Sequence, residues 1–470
     1  MLAVLSDLTV PGRGAARLAA ATLVSVLAAT VVMSGAGRAA AEGTAQRQGG
    51  ATATMGGLKT YGDAVIHGED GDREVPAGLF EMSVEGGGML QTYCVDILNP
   101  TQKDAKYQET PWSGTSLGTN KDAGRVRWIL RNSYPQVDDL AALAKKAGVK
   151  GGLTRQDAAA GTQVAIWRYS DHADVTAVDP QAERLADYLE KNARPLAEPA
   201  ASLTLDPPSL SGHPGERIGP VTVRTNAGRA TVSPPADAVT SGVRIVDREG
   251  EEVTEVPDGG RIYFDVPEDA AAGTAALTVQ ASTTVPVGRA FASESRSQTQ
   301  ILAGSSESTV SATAGATWAE QGPIPALSAA KNCAEGSLDI TAANKGDETF
   351  AFDLLDTRHR IAPDRTRTIS VPVQEDQPYD LTVRGPDGFE HRFTGILDCR
   401  TESDTLADVT TQTVVEPTPV TAGGAAAEAN LAETGTSDLT PFLTATALTL
   451  VTVGGTTLYV LRRRNTTAGN

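Results

Sequence analysis

The sequence predicts a multidomain fold: a mixed α/β domain, two all-β Ig-like sandwich modules, an extended stalk and a C-terminal membrane helix. Three observations carry this reading. Convincing helical periodicities are confined to residues 55–197, short alternating runs at turn-rich spacing fill 201–308 and 309–401, and an apolar stretch of spanning length lies near the C-terminus. Composition agrees, because the 470 residues include 47 Gly and 26 Pro but only 4% aromatics, which suits short strands and turns better than one large enzyme core. The formal net charge of −18 argues against a nucleic-acid partner, since phosphates call for a basic surface.

In chain order, Arg13 and Arg17 precede the apolar run "LAAATLVSVLAATVVMSGAG" and the small-residue stretch "RAAAEG". That order is a secretory signal over 1–41 with cleavage after Ala41, followed by a linker over 42–54. In 55–197 the segment "AGLFEMSVEGGGMLQTYCVDILNP" alternates and reads as strands. "AGRVRWILRNSY" and "VDDLAALAKKAG" follow with helical spacing. "LTRQDAAAGTQVAIWRYSDHA" opens with Thr154 and Asp157 in capping-box positions behind Leu153. From Ala201 the alternating runs "ASLTLDPPSLSG", "IGPVTVRTN", "GRIYFDVPEDA" and "TAALTVQASTTV" indicate one β-sandwich, and "GSLDITAANKG", "TFAFDLLD", "YDLTVRGPDG" and "HRFTGILDC" a second. Residues 402–430, rich in Thr, Pro, Ala and Gly, form a stalk that would reach about 100 Å fully stretched. "LAETG" (431–435), the apolar helix 441–461 and the basic tail 462–470 complete the chain.

That last order resembles the sortase cell-wall sorting signal of Gram-positive surface proteins. The residues carrying it are Leu431, Ala432, Glu433, Thr434 and Gly435, with Ala432 where the commonest form has proline. The resemblance implies membrane insertion before sorting, cleavage between Thr434 and Gly435, and transfer of Thr434 to peptidoglycan. A plain single-pass anchor is the simpler alternative.

An exported chain with three cysteines leaves one unpaired. Cys333 and Cys399 bracket the second sandwich and make the sensible disulfide. Cys94, in "QTYCVDI", is left over within an apolar strand. Gln163 is equally odd, because its apolar neighbours Ala159, Ala160, Ile166 and Trp167 put an amide on the buried face of a helix. One reaction accounts for both. Attack of the Cys94 thiolate on the Gln163 carbonyl would expel ammonia and leave an internal thioester, shielded from water by Tyr93, Ile166 and Trp167.

The pair "YCVD" and "TQVAIW" resembles the thioester, or TQXA, domains of Gram-positive surface adhesins, through Tyr93 and Cys94 and through Thr162, Gln163, Ala165, Ile166 and Trp167. The resemblance implies a β-sandwich with a helical subdomain, a spontaneous Cys94–Gln163 thioester, and covalent capture of an amine, typically a partner lysine, by the Gln163 acyl carbon. The expected function is therefore covalent adhesion from the cell wall, one substitution per molecule, with no turnover, no cofactor and no metal.

Two other functions compete. A non-reactive surface protein would keep Cys94 as a buried thiol and Gln163 as a hydrogen-bonded amide. A secreted cysteine hydrolase would pair Cys94 with His172, oriented by Asp171 or Asp174. His67, His213, His359 and His391 lack metal-ligand spacing. "HGEDGDRE" (67–74) reads as a solvated turn more readily than a calcium loop. "GGG" (86–88) is a strand-linking turn, and "NKGDE" (344–348) a hairpin turn more readily than a Lys–Asn crosslink.

Overall fold

The computed structural model describes residues 49–399 except 70, 98 and 296. The export signal, linker residues 42–48, the stalk, the LAETG motif, the helix 441–461 and the tail 462–470 lie outside the described residues. Among the described residues no helix is long and apolar enough to cross a membrane.

The chain enters on β1 (Thr52–Gly68) and returns on β2 (Gly71–Val84), paired from end to end. Gly86, Gly87 and Gly88 all take positive φ, the conformation that favours glycine, and turn the chain into β3 (Met89–Cys94) against β2. β4 (Lys106–Thr110) pairs with the other edge of β1 at residues 52–54. Residues 49–54, assigned to the linker 42–54, are thus packed: Ala51 is fully buried and β1 has already begun. A Cβ on Gly50 would meet the Glu109 carboxylate at 2.5 Å, so only glycine lets the chain pass there.

The helical block follows as α1 (Ala123–Asn132), α2 (Leu140–Ala147), α3 (Arg155–Ser170), the short strand β5 (Val175–Ala177) on the far half of β1, and α4 (Pro180–Asn192). The capping box of α3 is complete, with Asp157 N donating to Thr154 Oγ1 at 3.1 Å and Thr154 N to Asp157 Oδ2 at 2.8 Å. Unlike its neighbours, α3 is buried all round from Ala158 to Trp167, between β1 and β2 on one side and α1 and α4 on the other. Its "AAAG" run makes this possible. A Cβ on Gly161 would lie 2.4 Å from the Ala182 carbonyl of α4, and one on Gly62 of β1 3.2 Å from Ala160 Cβ. α4 was not among the helices read from periodicity, although Asp179 caps it and Pro180 occupies its first turn.

The next module runs through β6 (Leu203–Asp206), β7 (Ser209–Gly212), β8 (Arg217–Thr225), β9 (Ala230–Ser233), α5 (Ala238–Ser241), β10 (Arg244–Val246), β11 (Glu255–Val256), β12 (Arg261–Asp265) and β13 (Gly273–Thr284). The chain then leaves it. β14 (Ala290–Ser293) pairs with β4, β15 (Gln300–Ser305) pairs with β3, and the two pair with each other. Only then does β16 (Glu307–Trp318) return to lie along β13. Two sheets result, β10-β12-β8-β6 and β11-β9-β13-β16-β7, with Val221, Val223, Ile262, Phe264, Leu277 and Val279 fully buried between alternating exposed residues.

The sequence reading placed 201–308 in one module and began the next at 309. Strand pairing instead returns residues 290–305 to the first domain and gives β16 to the middle one. With that return, β1, β2, β3, β15, β14 and β4 close into an antiparallel barrel where a sandwich was expected. Alternation announces a strand but does not name its partner.

Glu109 of β4 fastens this crossing point. Fully buried, it accepts from Ala51 N (3.1 Å), Ser202 N (2.9 Å) and Arg289 Nε (2.9 Å), and Arg289 also reaches Glu198 at 2.6 Å.

The C-terminal module has its own core, with Ile340, Phe350, Phe352 and Val383 fully buried. Its strands are β17 (Pro325–Asn332), β18 (Ser337–Asn344), β19 (Phe350–Leu354), β20 (Thr357–Ile361), β21 (Arg365–Pro372), β22 (Pro378–Arg384) and β23 (Glu390–Ile396), in sheets β17-β18-β21 and β20-β19-β22-β23. The Cys333–Cys399 disulfide joins the end of β17 to the segment after β23.

Candidate functional site

Cys94 is the last residue of β3 and Gln163 lies in the middle of α3, and the two elements pack together. The 69 positions between them collapse to a pair of hydrogen bonds. Cys94 N donates to Gln163 Oε1 at 3.0 Å, and Gln163 Nε2 donates to Cys94 O at 2.9 Å. The amide is therefore clamped flat along the peptide of the residue that carries the thiol. Both residues are fully buried, so water does not reach the carbonyl.

The flanking residues wall this pair in. Tyr93, Ala165 and Ile166 are fully buried and Trp167 nearly so, and Tyr93 is anchored by its hydroxyl to Tyr134 O at 2.9 Å. Thr162 turns its hydroxyl back to Ala158 O at 2.6 Å, within its own helix. The Trp167 indole Nε1 has no hydrogen-bond partner among the described residues.

A family model described as "Thioester domain" matches residues 91–195, which include both Cys94 and Gln163. The chain carries a thioester domain. Among solved structures it is similar to the Bacillus anthracis TIE protein, at 15% identity and a TM-score of 0.27 over 74% of this chain and 81% of that one. It is also similar to the thioester domain of the Enterococcus faecium TIE86 protein, at 16% identity and 0.26 over 57% and 97%. A second family model, "Bacterial phospholipase C, C-terminal domain", matches residues 323–396, the C-terminal module. No curated protein matches the chain.

Within the thioester domain the sulfur has polar neighbours that sequence reasoning missed. Gln300 Nε2 donates to Cys94 Sγ at 3.4 Å, and Thr101 Oγ1 lies 3.9 Å away. Thr101 in turn donates to Gln298 at 2.7 Å, and Gln298 holds Asp96 O at 2.7 Å and Asn99 O at 2.5 Å. Burial pushes the Cys94 thiol up, and the contacts from Gln300 and Thr101 oppose that shift without overcoming it. In sequence, "SQTQ" (297–300) is polar at every position and reads as a solvated segment. Nothing in it signals that Gln298, Thr299 and Gln300 are all buried.

The remaining candidates separate from the site. His172 is exposed, in the left-handed region at φ 52°, and makes no hydrogen bond among the described residues. Asp171 turns instead to Ile97 N (3.0 Å) and Ser170 Oγ (2.6 Å), so no Cys–His–Asp relay forms. His67 bonds Asp72 (2.9 Å) and Thr176 (3.0 Å) beside the β1–β2 turn. Asn344 is buried with its amide satisfied by Ile324, Gly346, Glu348 and Ile361, while Lys345 points out to Asp364. Among the described residues one cluster of carboxylates, Glu375, Asp376 and Asp398, has oxygens within 4.8 Å of one another, in the C-terminal module.

Proposed function

We propose that this is a surface adhesin whose Cys94 forms an internal thioester with a buried glutamine and captures an amine on a partner protein. The sequence reading named Gln163 as that glutamine, but its amide is turned to the Cys94 backbone, and the observation that carries the proposal is the Gln300 amide held 3.4 Å from Cys94 Sγ in a dry site.

In the forming step, Cys94 Sγ attacks Gln300 Cδ and negative charge builds on Oε1. The Thr92 hydroxyl already donates to that oxygen at 2.8 Å and stabilises the tetrahedral intermediate. The thiol proton goes to the departing nitrogen, which leaves as ammonia. Burial holds the Cys94 thiol in its neutral form, so the attack and the passage of its proton to nitrogen go together. In the capture step a partner amine attacks the same carbon, Cys94 departs as the thiol, and an isopeptide-like bond to Gln300 remains. This is one acyl transfer per molecule, and the domain is not a turnover enzyme.

The basic-apolar-small order of 1–41 and the LAETG signal support export, sortase cleavage and attachment to peptidoglycan, with the negative surface facing outward. The same hydrogen bonds could hold an unreacted amide in a domain that binds only non-covalently, and adding methylamine separates the two readings. A thioester takes up methylamine and releases a titratable Cys94 thiol. An unreacted domain does neither, and its Cys94 titrates from the start once the chain is unfolded.

A further inference from the structure

Strands β20 and β21 of the C-terminal module carry charge of one sign. Their stretch "TRHRIAPDRTRTISVP" (357–372) holds four arginines and a histidine against one carboxylate, in a chain whose net charge is −18. Each strand is the last of its sheet, and among the described residues each is paired on one side only, β20 with β19 and β21 with β18. Arg358, Arg360, Arg365 and Arg367 are all exposed, and their side chains make no hydrogen bond or ion pair among the described residues. The one carboxylate of the stretch, Asp364, is taken by Lys345 at 3.1 Å. Asp353 of β19 stands opposite both Arg358 and Arg384 in register, so it offsets two cations at once. Burial and the charge of Arg367 together hold the His359 imidazole below its usual range, which puts the side chains of the two edges beside each other.

Charge on an open edge keeps sheets from pairing with one another, but mixed signs would do that equally well. Four cations of one sign do more, because they draw a polyanion to the edge. Arginines two apart on a strand lie about 7 Å from each other. An extended phosphodiester polymer with a three-carbon spacer presents its charges at a similar interval, and the guanidinium fork takes phosphate oxygens in pairs. The opposite edges of the module, β17 and β23, are the ones turned to the thioester domain. There Lys331, Thr394 and Gly395 line a cavity with Thr110 and Ser113, and Cys333 N donates to Ser113 O at 3.0 Å. The arginine edge therefore stays free whatever the thioester domain has captured.

We propose that the β20–β21 edge binds an extended phosphodiester polymer of the cell surface, holding the C-terminal module against the wall to which the chain would be joined. The setting rests on the wall attachment proposed above, while the binding is read in solution, so either can fail without the other.

The test titrates the purified full chain with poly(glycerol phosphate). Wild type should bind, and raising salt from 50 to 200 mM should weaken the binding about 50-fold for four neutralised phosphates on a single strand. The combined variant Arg358→Ser, Arg360→Ser, Arg365→Ser and Arg367→Ser should keep the circular-dichroism spectrum, bind at least about 10-fold more weakly and show a flatter salt slope. Should it not fold, the pairs Arg358→Ser with Arg360→Ser and Arg365→Ser with Arg367→Ser are read separately, and each should lose part of the binding. Removing the same charge from exposed positions elsewhere, through Arg184→Ser, Arg224→Ser, Arg248→Ser and Arg261→Ser, should leave binding near the wild-type value. Cys94→Ala should bind the polymer as wild type does. A wild-type chain that does not bind, unchanged binding in the edge variants, an equal loss in the control variant, or binding to phosphatidylglycerol vesicles in place of the polymer overturns the proposal.

Discussion

Cys94 engages two glutamines, Gln300 through its sulfur and Gln163 through its own N–H and C=O. The two have different consequences when removed. Cys94→Ala and Gln300→Ala should each abolish the ammonia deficit in the intact mass. Gln163→Ala instead strands the buried N–H and C=O of Cys94. It should therefore unfold about 2 kcal/mol more easily than Cys94→Ala in denaturant melts. Cys94 and Gln163 were legible in the sequence, because an unpaired exported thiol and a buried amide are each anomalous. Gln300 was not, since the strand that it pairs with lies about two hundred residues upstream.

Asp171, at the end of α3, sets a pH dependence of its own. Its carboxyl is pushed up to about 6 by loss of hydration, against the opposing bonds from Ser170 and Ile97. The folded chain thus holds this proton more tightly than the unfolded chain, whose carboxyl titrates near 4. Stability from this group is greatest at low pH, falls as pH rises between about 4 and 6, and is level above that, a change of about 3 kcal/mol. Asp171→Asn should flatten that part of the melting-temperature profile by comparison with wild type. An unchanged slope would place the titration elsewhere.

At the scale of elements, the helix that carries Gln163 is defined by what it lacks. The small side chains of "AAAG" let α3 sit against β1 on one side and α4 on the other, and Gly161 is the closest point of approach to α4. Gly161→Ala would drive a methyl into the Ala182 carbonyl and displace the helix two residues from Gln163. The expected result is a loss of about 2 kcal/mol and slower appearance of the ammonia deficit after refolding. The start of α3 was readable from Thr154 and Asp157 because capping chemistry is local. Helix α4 had equally local signals in Asp179 and Pro180, but its periodicity alone did not single it out. The strands β14 and β15 were readable as strands and unreadable as members of the barrel, since their partners β4 and β3 lie nearly two hundred residues upstream.

For the whole molecule, that return sets what can be cut. A piece ending at residue 199 would leave β3 and β4 with open edges and remove Gln300, so it should aggregate or stay unfolded by circular dichroism. A piece spanning 49–318 keeps the barrel closed and should fold and show the ammonia deficit. Equal behaviour of the two pieces would mean the barrel does not need its last two strands. Reducing the Cys333–Cys399 disulfide, which closes a loop 66 residues long, should destabilise the C-terminal module by about 4 kcal/mol. The thioester domain, whose core is separate, should keep its deficit.

The central claim is a covalent bond between Cys94 and a buried glutamine, Gln300, and the mass of the intact, purified chain reads it directly. The expected mass is about 17 Da below that of the amino-acid sequence once the two hydrogens of the disulfide are allowed for, with methylamine then adding across the missing ammonia. A chain of full mass that takes up no methylamine would contradict the account.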